Sequence, residues 1–292
     1  MRMTARAAIR AVALSLLSLL GLLGLQGCSM VTLGYGHLDT FTLYLVRDYI
    51  QPESGVQYNE ARSAVQRLHQ WHRQRELPAY ATLATEAAQR LERPLTSEDL
   101  RWVWGQFRER YQSLVRQAVR EAVPTLVQLG PDQLARLEHR LAEENEKFAR
   151  EFLAGDAARQ RRVYSARLQS QIDDWVGSLE RAQIAIIDRF VQVHQPHLRL
   201  RLEDRQRRQR EALVLIRRER NAAELLPLLA TLLADQDSGR SEEMRAAARR
   251  WEDGIGQMYL ELERSMTREQ RQRAQTRLRR FADDFNRLAI ER

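Results

Sequence analysis

EDLRWVWGQFRERYQSLVRQAVREAV, residues 98–123, decides the fold, because its apolar residues recur every three or four positions. This spacing places them along one side of an α-helix and leaves the charged residues on the other side. The apolar stripe consists of Leu100, Val103, Trp104, Phe107, Tyr111, Leu114, Val115, Ala118 and Ala122. We therefore predict an amphipathic helix that buries this stripe against other helices.

The same spacing recurs on both sides of this segment. Apolar stripes of helical period run through residues 80–91, 134–152 and 164–179. No comparable segment alternates apolar and polar residues with β-branched enrichment, which is the pattern of a half-buried strand. The sequence therefore predicts an all-α fold.

Residues that interrupt helices lie where the apolar stripes stop. Proline and glycine end helices because proline lacks a backbone N–H and glycine is conformationally free. The interruptions are at 52–55, Pro78, Pro94, Pro124, Gly130-Pro131, Pro196, Pro227 and 237–239. They divide the chain into roughly eight amphipathic helices, which we expect to form an irregular bundle.

Four junctions share a pattern in which a large apolar residue is followed by an acid or an amide. They lie at 95–99, 129–133, 179–183 and 266–270. At the last one, the Thr267 hydroxyl can accept a backbone N–H while the Gln270 side chain reaches back to the N-cap N–H. The spacings of 34, 50 and 87 residues have no common period. The pattern therefore indicates repeated helix starts and not a solenoid.

The N-terminus has the layout of a secretory signal. Arg2, Arg6 and Arg10 form a positively charged region, and residues 11–25 form an apolar segment that stops at Gln26. A membrane-spanning helix needs about 20 apolar residues, so a membrane span is the weaker interpretation. The sole cysteine of the chain follows directly.

The residues LQGC at 25–28 resemble the lipobox of bacterial lipoproteins. The resemblance implies that residues 1–27 are a signal peptide and that Cys28 becomes the N-terminus, with a diacylglycerol thioether and an acylated amine. In lipoproteins an aspartate after the cysteine signals inner-membrane retention, and here that position is Ser29. The resemblance thus implies an outer-membrane anchor that faces the periplasm. An ordinary signal peptide with a chance cysteine is the alternative.

These boundaries give three parts: a signal peptide (1–27), a lipid-anchored tether and packing segment (28–50) and a helical bundle (51–292). The middle part begins with a glycine-bearing tether, and its aromatic and aliphatic residues are expected to pack on the bundle. With its only cysteine lipidated, the mature chain has no disulfide and depends on packing for its stability.

Positive charge is concentrated in one segment. Without the signal peptide the chain has 44 basic and 39 acidic residues, and the segment 199–220 alone carries nine arginines against four acids. We name Arg205, Arg208 and Arg210 as a candidate binding surface for anionic lipid, lipopolysaccharide or an acidic envelope protein. A solvated face of Arg–Glu pairs is the alternative. Nucleic acid is disfavoured, because an exported protein does not normally meet it and no aromatic residue interleaves these arginines.

Motifs in several parts of the chain carry a family resemblance. They are Cys28, Leu33-Gly34-Tyr35 with Leu38-Asp39, Trp71-His72 with Leu77-Pro78 and Tyr80, and Met266-Thr267 with Gln270. In these the chain resembles a family of uncharacterised helical lipoproteins of Gram-negative bacteria. The last motif is also similar to that of the periplasmic chaperones with the LTXXQ motif. The resemblance implies an outer-membrane location and an all-helical fold, and the second similarity implies a chaperone-like role.

One segment has the spacing of a metal site. In LHQWHRQRE (68–76), His69, His72 and Glu76 can share one helix face and hold a metal if another helix supplies a further ligand. Histidines that pack at a bundle seam are the commoner explanation, so we predict neither a metal nor a cofactor. The sequence also lacks the Gly-x-Ser-x-Gly, His-Glu-x-x-His, phosphate-loop and dinucleotide motifs.

The sequence favours a non-catalytic binding or chaperone-like protein of the envelope. The alternatives are an enzyme whose active site is assembled from separate helices, and a metal-binding envelope stress protein. A concave pocket with convergent, buried ionisable groups would favour the enzyme, whereas an open apolar cradle would favour the binding protein.

Overall fold

The computed structural model describes residues 35–290, in which every regular element is a helix. The predicted all-α fold is confirmed for this part of the chain. The ten helices are α1 (Leu38–Ile50), α2 (55–90), α3 (Ser97–Leu126), α4 (131–153), α5 (Ala157–Val176), α6 (Arg181–His194), α7 (His197–Arg218), α8 (Ala222–Ala234), α9 (Glu242–Arg264) and α10 (Arg268–Ile290). The predicted signal peptide and Cys28 lie outside the described residues.

The structure thus has slightly more helices than the roughly eight expected from the sequence. Three prolines expected to interrupt helices lie inside them: Pro78 follows a π-helical turn, Pro124 lies in the last turn of α3, and Pro227 lies within α8. A proline at such a position removes a single backbone hydrogen bond. Other breaks occur at Gly155, whose φ of 75° favours glycine, and at 219–221.

Two helices contain a π-helical turn. In α2, His72–Glu76 joins Gly55–Trp71 to Leu77–Arg90. In α4, Ala149–Leu153 follows the α-helical part. A π-turn changes the direction in which the following side chains point, and such turns are frequent at functional sites.

Two hydrophobic clusters form most of the interior. The first cluster lies between α5, α6 and α9 and includes Ile187 and Met258. The second cluster lies between α3, α4 and α8 and includes Val123 and Leu225. These apolar side chains supply the burial that stabilises the bundle.

α7 connects the two clusters. Leu198 near its start packs into the first cluster, and Ile216 near its end packs into the second. The arginine-rich part of α7 therefore lies between two apolar cores.

α10 lies along the second half of α2. Leu288 packs on Leu77 and Tyr80, and Tyr35 joins this group from the N-terminal side. This packing covers one side of α2 next to the π-turn.

The described part of the predicted tether segment is largely helical. α1 accounts for most of it, and Ile50 at its end is buried in the second cluster. None of the helices within residues 35–290 combines the length and the apolar character that crossing a bilayer requires.

Buried glutamines join the starts of helices that are distant in sequence. Gln270 Oε1 accepts the Thr267 N–H (3.1 Å) and Thr267 Oγ1 accepts the Gln270 N–H (3.2 Å), which confirms the predicted cap. Gln270 Nε2 donates to Gln183 Oε1 (3.0 Å), and Gln183 Nε2 donates to Gln270 Oε1 (2.8 Å). This reciprocal amide pair holds the starts of α6 and α10 together.

A second reciprocal pair joins the starts of α2 and α4. Gln133 Nε2 donates to Gln57 Oε1 (2.9 Å), and Gln57 Nε2 donates to Gln133 Oε1 (3.2 Å). The four glutamines of the two pairs are at most 6% exposed. Because buried amides are costly unless they are hydrogen-bonded, each pair fixes the relative position of two helix starts.

Candidate functional site

Five of the nine arginines of 199–220 have partners within the protein. Arg207 donates to Asp204 and Glu211, Arg217 lies against Glu138, and Arg218 lies against Glu219. Arg208 and Arg220 donate to backbone carbonyls. The solvated-face interpretation therefore accounts for part of the segment.

The three arginines predicted as a surface do not lie on one face. Arg208 donates to the carbonyls of Leu232 (2.9 Å) and Leu233 (2.7 Å) and so caps the last turn of α8. Arg210 is exposed and Arg205 is half-buried. Since each residue turns the helix by about 100°, Arg210 points about 140° away from Arg205.

Arg205 instead forms a row with two residues that the sequence analysis did not single out. His197, Arg201 and Arg205 are spaced four residues apart, so their side chains follow one side of α7, about 6 Å from one to the next. Within residues 35–290, neither arginine has an ion pair or a hydrogen bond. The buried Nδ1 of His197 also has no hydrogen-bond partner there. We call these three residues the α7 row.

The surroundings of the α7 row shift the pKa values of its three members. Arg201 is exposed, yet surrounding protein atoms desolvate its guanidinium and lower its pKa. Burial likewise lowers the pKa of Arg205, although Glu144 and Tyr49 lie close enough to oppose this effect. Burial, followed by the charges of Arg201 and Arg240, lowers the pKa of His197 to about 4.

Aromatic side chains pack beside the first half of the α7 row. Trp251 stacks on His197 with 5.2 Å between ring centroids, and its Nε1 donates to the Tyr164 hydroxyl (3.3 Å). Burial raises the pKa of the Tyr164 hydroxyl, although the hydrogen bond from Trp251 and the charge of Arg201 act to lower this pKa. Tyr259 neighbours Tyr164, and burial raises the pKa of Tyr259 to about 12. The surroundings of the α7 row thus combine cations with neutral hydroxyl and imidazole groups.

The predicted histidine cluster lies at the π-turn of α2. Tyr35 lies over His69, with 4.8 Å between ring centroids, and its hydroxyl is 2.9 Å from His72 Nδ1. Glu76 is 1% exposed, and its Oε1 accepts the Ser113 hydroxyl (2.7 Å). The structure therefore directs the histidines and the carboxylate of this cluster to different partners.

The chemistry of this cluster is that of a buried polar network. Burial raises the pKa of Glu76 despite Ser113 and Arg110, and Glu76 Oε2 has no hydrogen-bond partner within the described residues. Burial, followed by the charge of His69, lowers the pKa of His72 to about 4. In residues 35–290, no three His, Cys, Asp or Glu side chains are arranged so that they could hold a metal ion.

The low pKa of His72 predicts acid sensitivity. An unfolded histidine titrates near pH 6.5, so between about pH 6.5 and 4 the unfolded chain binds more protons and stability falls as the pH falls. We expect His72→Asn, whose amide can still bond Tyr35, to reduce the loss of unfolding free energy between pH 7 and pH 4.5 by about 2 kcal/mol. Urea unfolding at the two pH values measures this difference.

The exposed His139 provides the control for this prediction, since its side chain is 73% exposed. His139→Asn makes the same substitution at an exposed position and shows how much of the effect follows from losing any histidine. The raised pKa of Glu76 makes stability rise as the pH falls, which opposes the effect of His72. Glu76 is present in both the unmodified protein and His72→Asn, so its effect cancels when their pH dependences are compared. If the stability of His72→Asn and of the unmodified protein depended equally on pH, the lowered pKa of His72 would be contradicted.

Comparison with known proteins places a family match over most of the described helices. A family model described as a family of unknown function (DUF6279) matches residues 48–245, which run from the end of α1 into the start of α9. The match includes both the π-turn cluster and the α7 row. No curated protein and no solved structure matches the chain.

Proposed function

We propose that this chain, which belongs to the family of unknown function (DUF6279), is a lipoprotein that binds an anionic component of the envelope. The family match itself indicates no activity. In this proposal the acylated Cys28 anchors it in the outer membrane and the bundle faces the periplasm. The lipobox-like sequence at 25–28 supports the anchor. Two or more acyl chains suffice for stable anchoring, whereas one gives only marginal binding.

The proposed binding role rests on the positive charge of α7, which exceeds the negative charge of its own acidic residues. The segment 199–220 has five more basic than acidic residues, which equals the net charge of the whole chain after the signal peptide. Arg199 and Arg210 are exposed and, within residues 35–290, have no acidic partner. Exposed cations of this kind attract anionic surfaces at low ionic strength.

The anchor predicts a defined N-terminus. Mass spectrometry of the protein extracted from membranes should find acylated Cys28 as the first residue. The Cys28→Ala variant should no longer be found in the membrane fraction. A mature chain that retains residues 1–27, or a soluble chain cleaved elsewhere, would overturn the proposed location.

The charge of α7 predicts salt-sensitive tethering. Lipidated protein anchored in phosphatidylcholine vesicles should tether a second population of vesicles that contain phosphatidylglycerol, and light scattering should report the loss of tethering between about 0.05 and 0.5 M salt. The double variant Arg199→Gln/Arg210→Gln should tether less.

Two other arginines of α7 give a matched control. Arg217 and Arg218 are also exposed, but they lie against Glu138 and Glu219. Arg217→Gln/Arg218→Gln removes the same formal charge and should weaken tethering less, because these cations are already compensated. Equal tethering by all three proteins would refute the role of α7.

A further inference from the structure

Tyr35, the first described residue, packs on the middle of α2. Its ring centroid lies 4.8 Å from that of His69, its hydroxyl is 2.9 Å from His72 Nδ1, and the Arg73 guanidinium lies 5.7 Å from its ring centroid. Tyr35 also packs on the cluster that contains Leu77. We call Tyr35, His69, His72 and Arg73 the Tyr35 clasp. The clasp fixes the chain to the bundle at this point.

The clasp lies on the side of α2 that points away from α3. Arg67 of α2 pairs with Glu121 of α3 at 2.7 Å. His69 is two residues further along α2, so its side chain points about 160° away from that of Arg67. Tyr35 therefore covers α2 from the side opposite to α3.

Helix α8 lies behind α3 as seen from α2. The Ser113 hydroxyl donates to Glu76 of α2 (2.7 Å), whereas the Tyr111 hydroxyl donates to the Leu233 carbonyl of α8 (3.1 Å). Ser113 and Tyr111 are two residues apart, so they point about 160° apart around α3. The layers of this part of the bundle are therefore the clasp, α2, α3 and α8, in that order.

The clasp side of α2 is polar and exposed. Its exposed members include Arg62, Gln66 and Gln70. The sole acid of Gly55–Trp71 is Glu60, which accepts a hydrogen bond from Gln128 next to α3 (2.6 Å). Asp39 of α1 borders the same side. This surface offers mainly hydrogen-bond donors and cations, which suits a surface rich in oxygen acceptors.

The proposed anchor is close to the clasp along the chain. Cys28 is seven residues before Tyr35, so even a fully extended chain spans no more than about 24 Å between them. Helix α2 extends about 26 Å on either side of His72. It could stand upright on the membrane only if the connecting chain were fully extended and the helix end touched the headgroups.

We propose that the Tyr35 clasp turns this side of α2 towards the membrane that holds the acylated Cys28, so that α2 lies along the lipid headgroups. The proposal rests on the anchor proposed above and identifies the surface of the bundle that meets the membrane. Arginine and glutamine side chains donate hydrogen bonds, and the phosphate and ester oxygens of headgroups accept them. Helices α3 and α8 then lie successively further from the bilayer.

Fluorescence quenching in vesicles tests this orientation with the full lipidated protein. Because the only cysteine of the chain is acylated in this proposal, Gln70→Cys and Thr231→Cys each introduce one free thiol for a bimane label. Both positions are exposed, Gln70 beside the clasp and Thr231 on α8. Lipids with a nitroxide on the headgroup should quench the label at Gln70→Cys at least about twofold more strongly, because two helix spacings place α8 about 18 Å further away. Equal quenching, or stronger quenching at Thr231→Cys, would overturn the orientation.

Variants of Tyr35 test the clasp itself. In Tyr35→Ala the next held position is the start of α1 at Leu38, ten residues after Cys28, and a reach of about 34 Å lets α2 stand upright. The ratio of quenching at the two labels should therefore fall by at least about half. Tyr35→Phe loses only the hydroxyl contact with His72 and should have an intermediate ratio.

Tyr44→Ala is the matched control, because Tyr44 is a 53% exposed tyrosine of α1 outside the clasp. It should leave the ratio unchanged, and all three variants should keep the helical circular dichroism spectrum. An unchanged ratio in Tyr35→Ala would show that the clasp does not set the orientation.

The outcomes separate this proposal from the proposed function. If Cys28 is not acylated, the anchor fails and the orientation fails with it. If the protein is anchored and the two labels are quenched equally, the orientation alone fails. If quenching is unequal but tethering through α7 is absent, the binding role of α7 fails and the orientation stands.

Discussion

Replacing Gln270 with alanine is expected to lower the free energy of unfolding by about 3 kcal/mol. The Gln270 side chain accepts the Thr267 N–H and donates to the Ser178 carbonyl and to Gln183. Alanine removes all of these bonds and leaves buried polar groups on three partners without a hydrogen bond. Urea unfolding at neutral pH measures the loss.

Gln272 provides the control, because it is an exposed glutamine on the same helix. Gln272→Ala should change stability by less than about 0.5 kcal/mol. Gln183→Ala should cost about as much as Gln270→Ala, and the double variant should cost clearly less than the sum, since the first change already breaks the shared pair. Additive effects would show that the two glutamines stabilise the bundle independently.

The helix starts could be predicted from the sequence, but their pairing could not. The cap at Thr267 uses only residues within one turn of the chain, so its pattern is visible locally. A glutamine at that position can accept the N-cap N–H of its own helix whether or not a second amide is nearby. Gln57 and Gln133 are 76 residues apart and Gln183 and Gln270 are 87 apart, so no common spacing reveals the pairs.

The helix boundaries show where local rules fail. The local rule predicts interruptions at Pro78 and Pro124, yet Pro78 follows the π-turn of α2 and Pro124 lies in the last turn of α3. Tyr35 and α10 pack against Leu77 and Tyr80, directly after the π-turn. Such tertiary context has no counterpart in apolar periodicity.

The charge of the sequence identifies the segment of the candidate binding surface but not the individual residues that form it. Excess positive charge marks α7, but composition does not distinguish Arg208, which binds carbonyls of α8, from Arg205, which has no hydrogen bond or ion pair within residues 35–290 and interacts with the charge of Glu144. The four-residue spacing of His197, Arg201 and Arg205 was present in the sequence. This spacing becomes informative only when the structure shows which side chains the row meets, such as Trp251 against His197.

Asp99→Asn is expected to destabilise the protein by about 3 kcal/mol at neutral pH. The Asp99 carboxylate is 1% exposed and accepts hydrogen bonds from Arg90 (2.6 Å), from Arg93 (2.7 Å) and from the Thr96 backbone N–H (2.9 Å). It therefore caps α3 and holds the preceding loop. Asparagine turns one acceptor into a donor that faces other donors, and urea unfolding reports the cost.

Glu98 is the matched control, because it is the neighbouring acid in the first turn of α3 and is exposed. Glu98→Gln should cost less than about 0.5 kcal/mol.

The pH dependence of the Asp99→Asn difference follows from the ion pairs of this carboxylate. The bond from Arg93, followed by those from Thr96 and Arg90, holds the pKa of Asp99 well below its usual range. Its stabilisation is therefore present above the unfolded pKa near 3.9 and is lost as the pH falls below that value. The stability difference between the unmodified protein and Asp99→Asn should narrow by about 1 kcal/mol between pH 6 and pH 3. A constant difference across that range would mean that the Asp99 charge does not stabilise the α3 start.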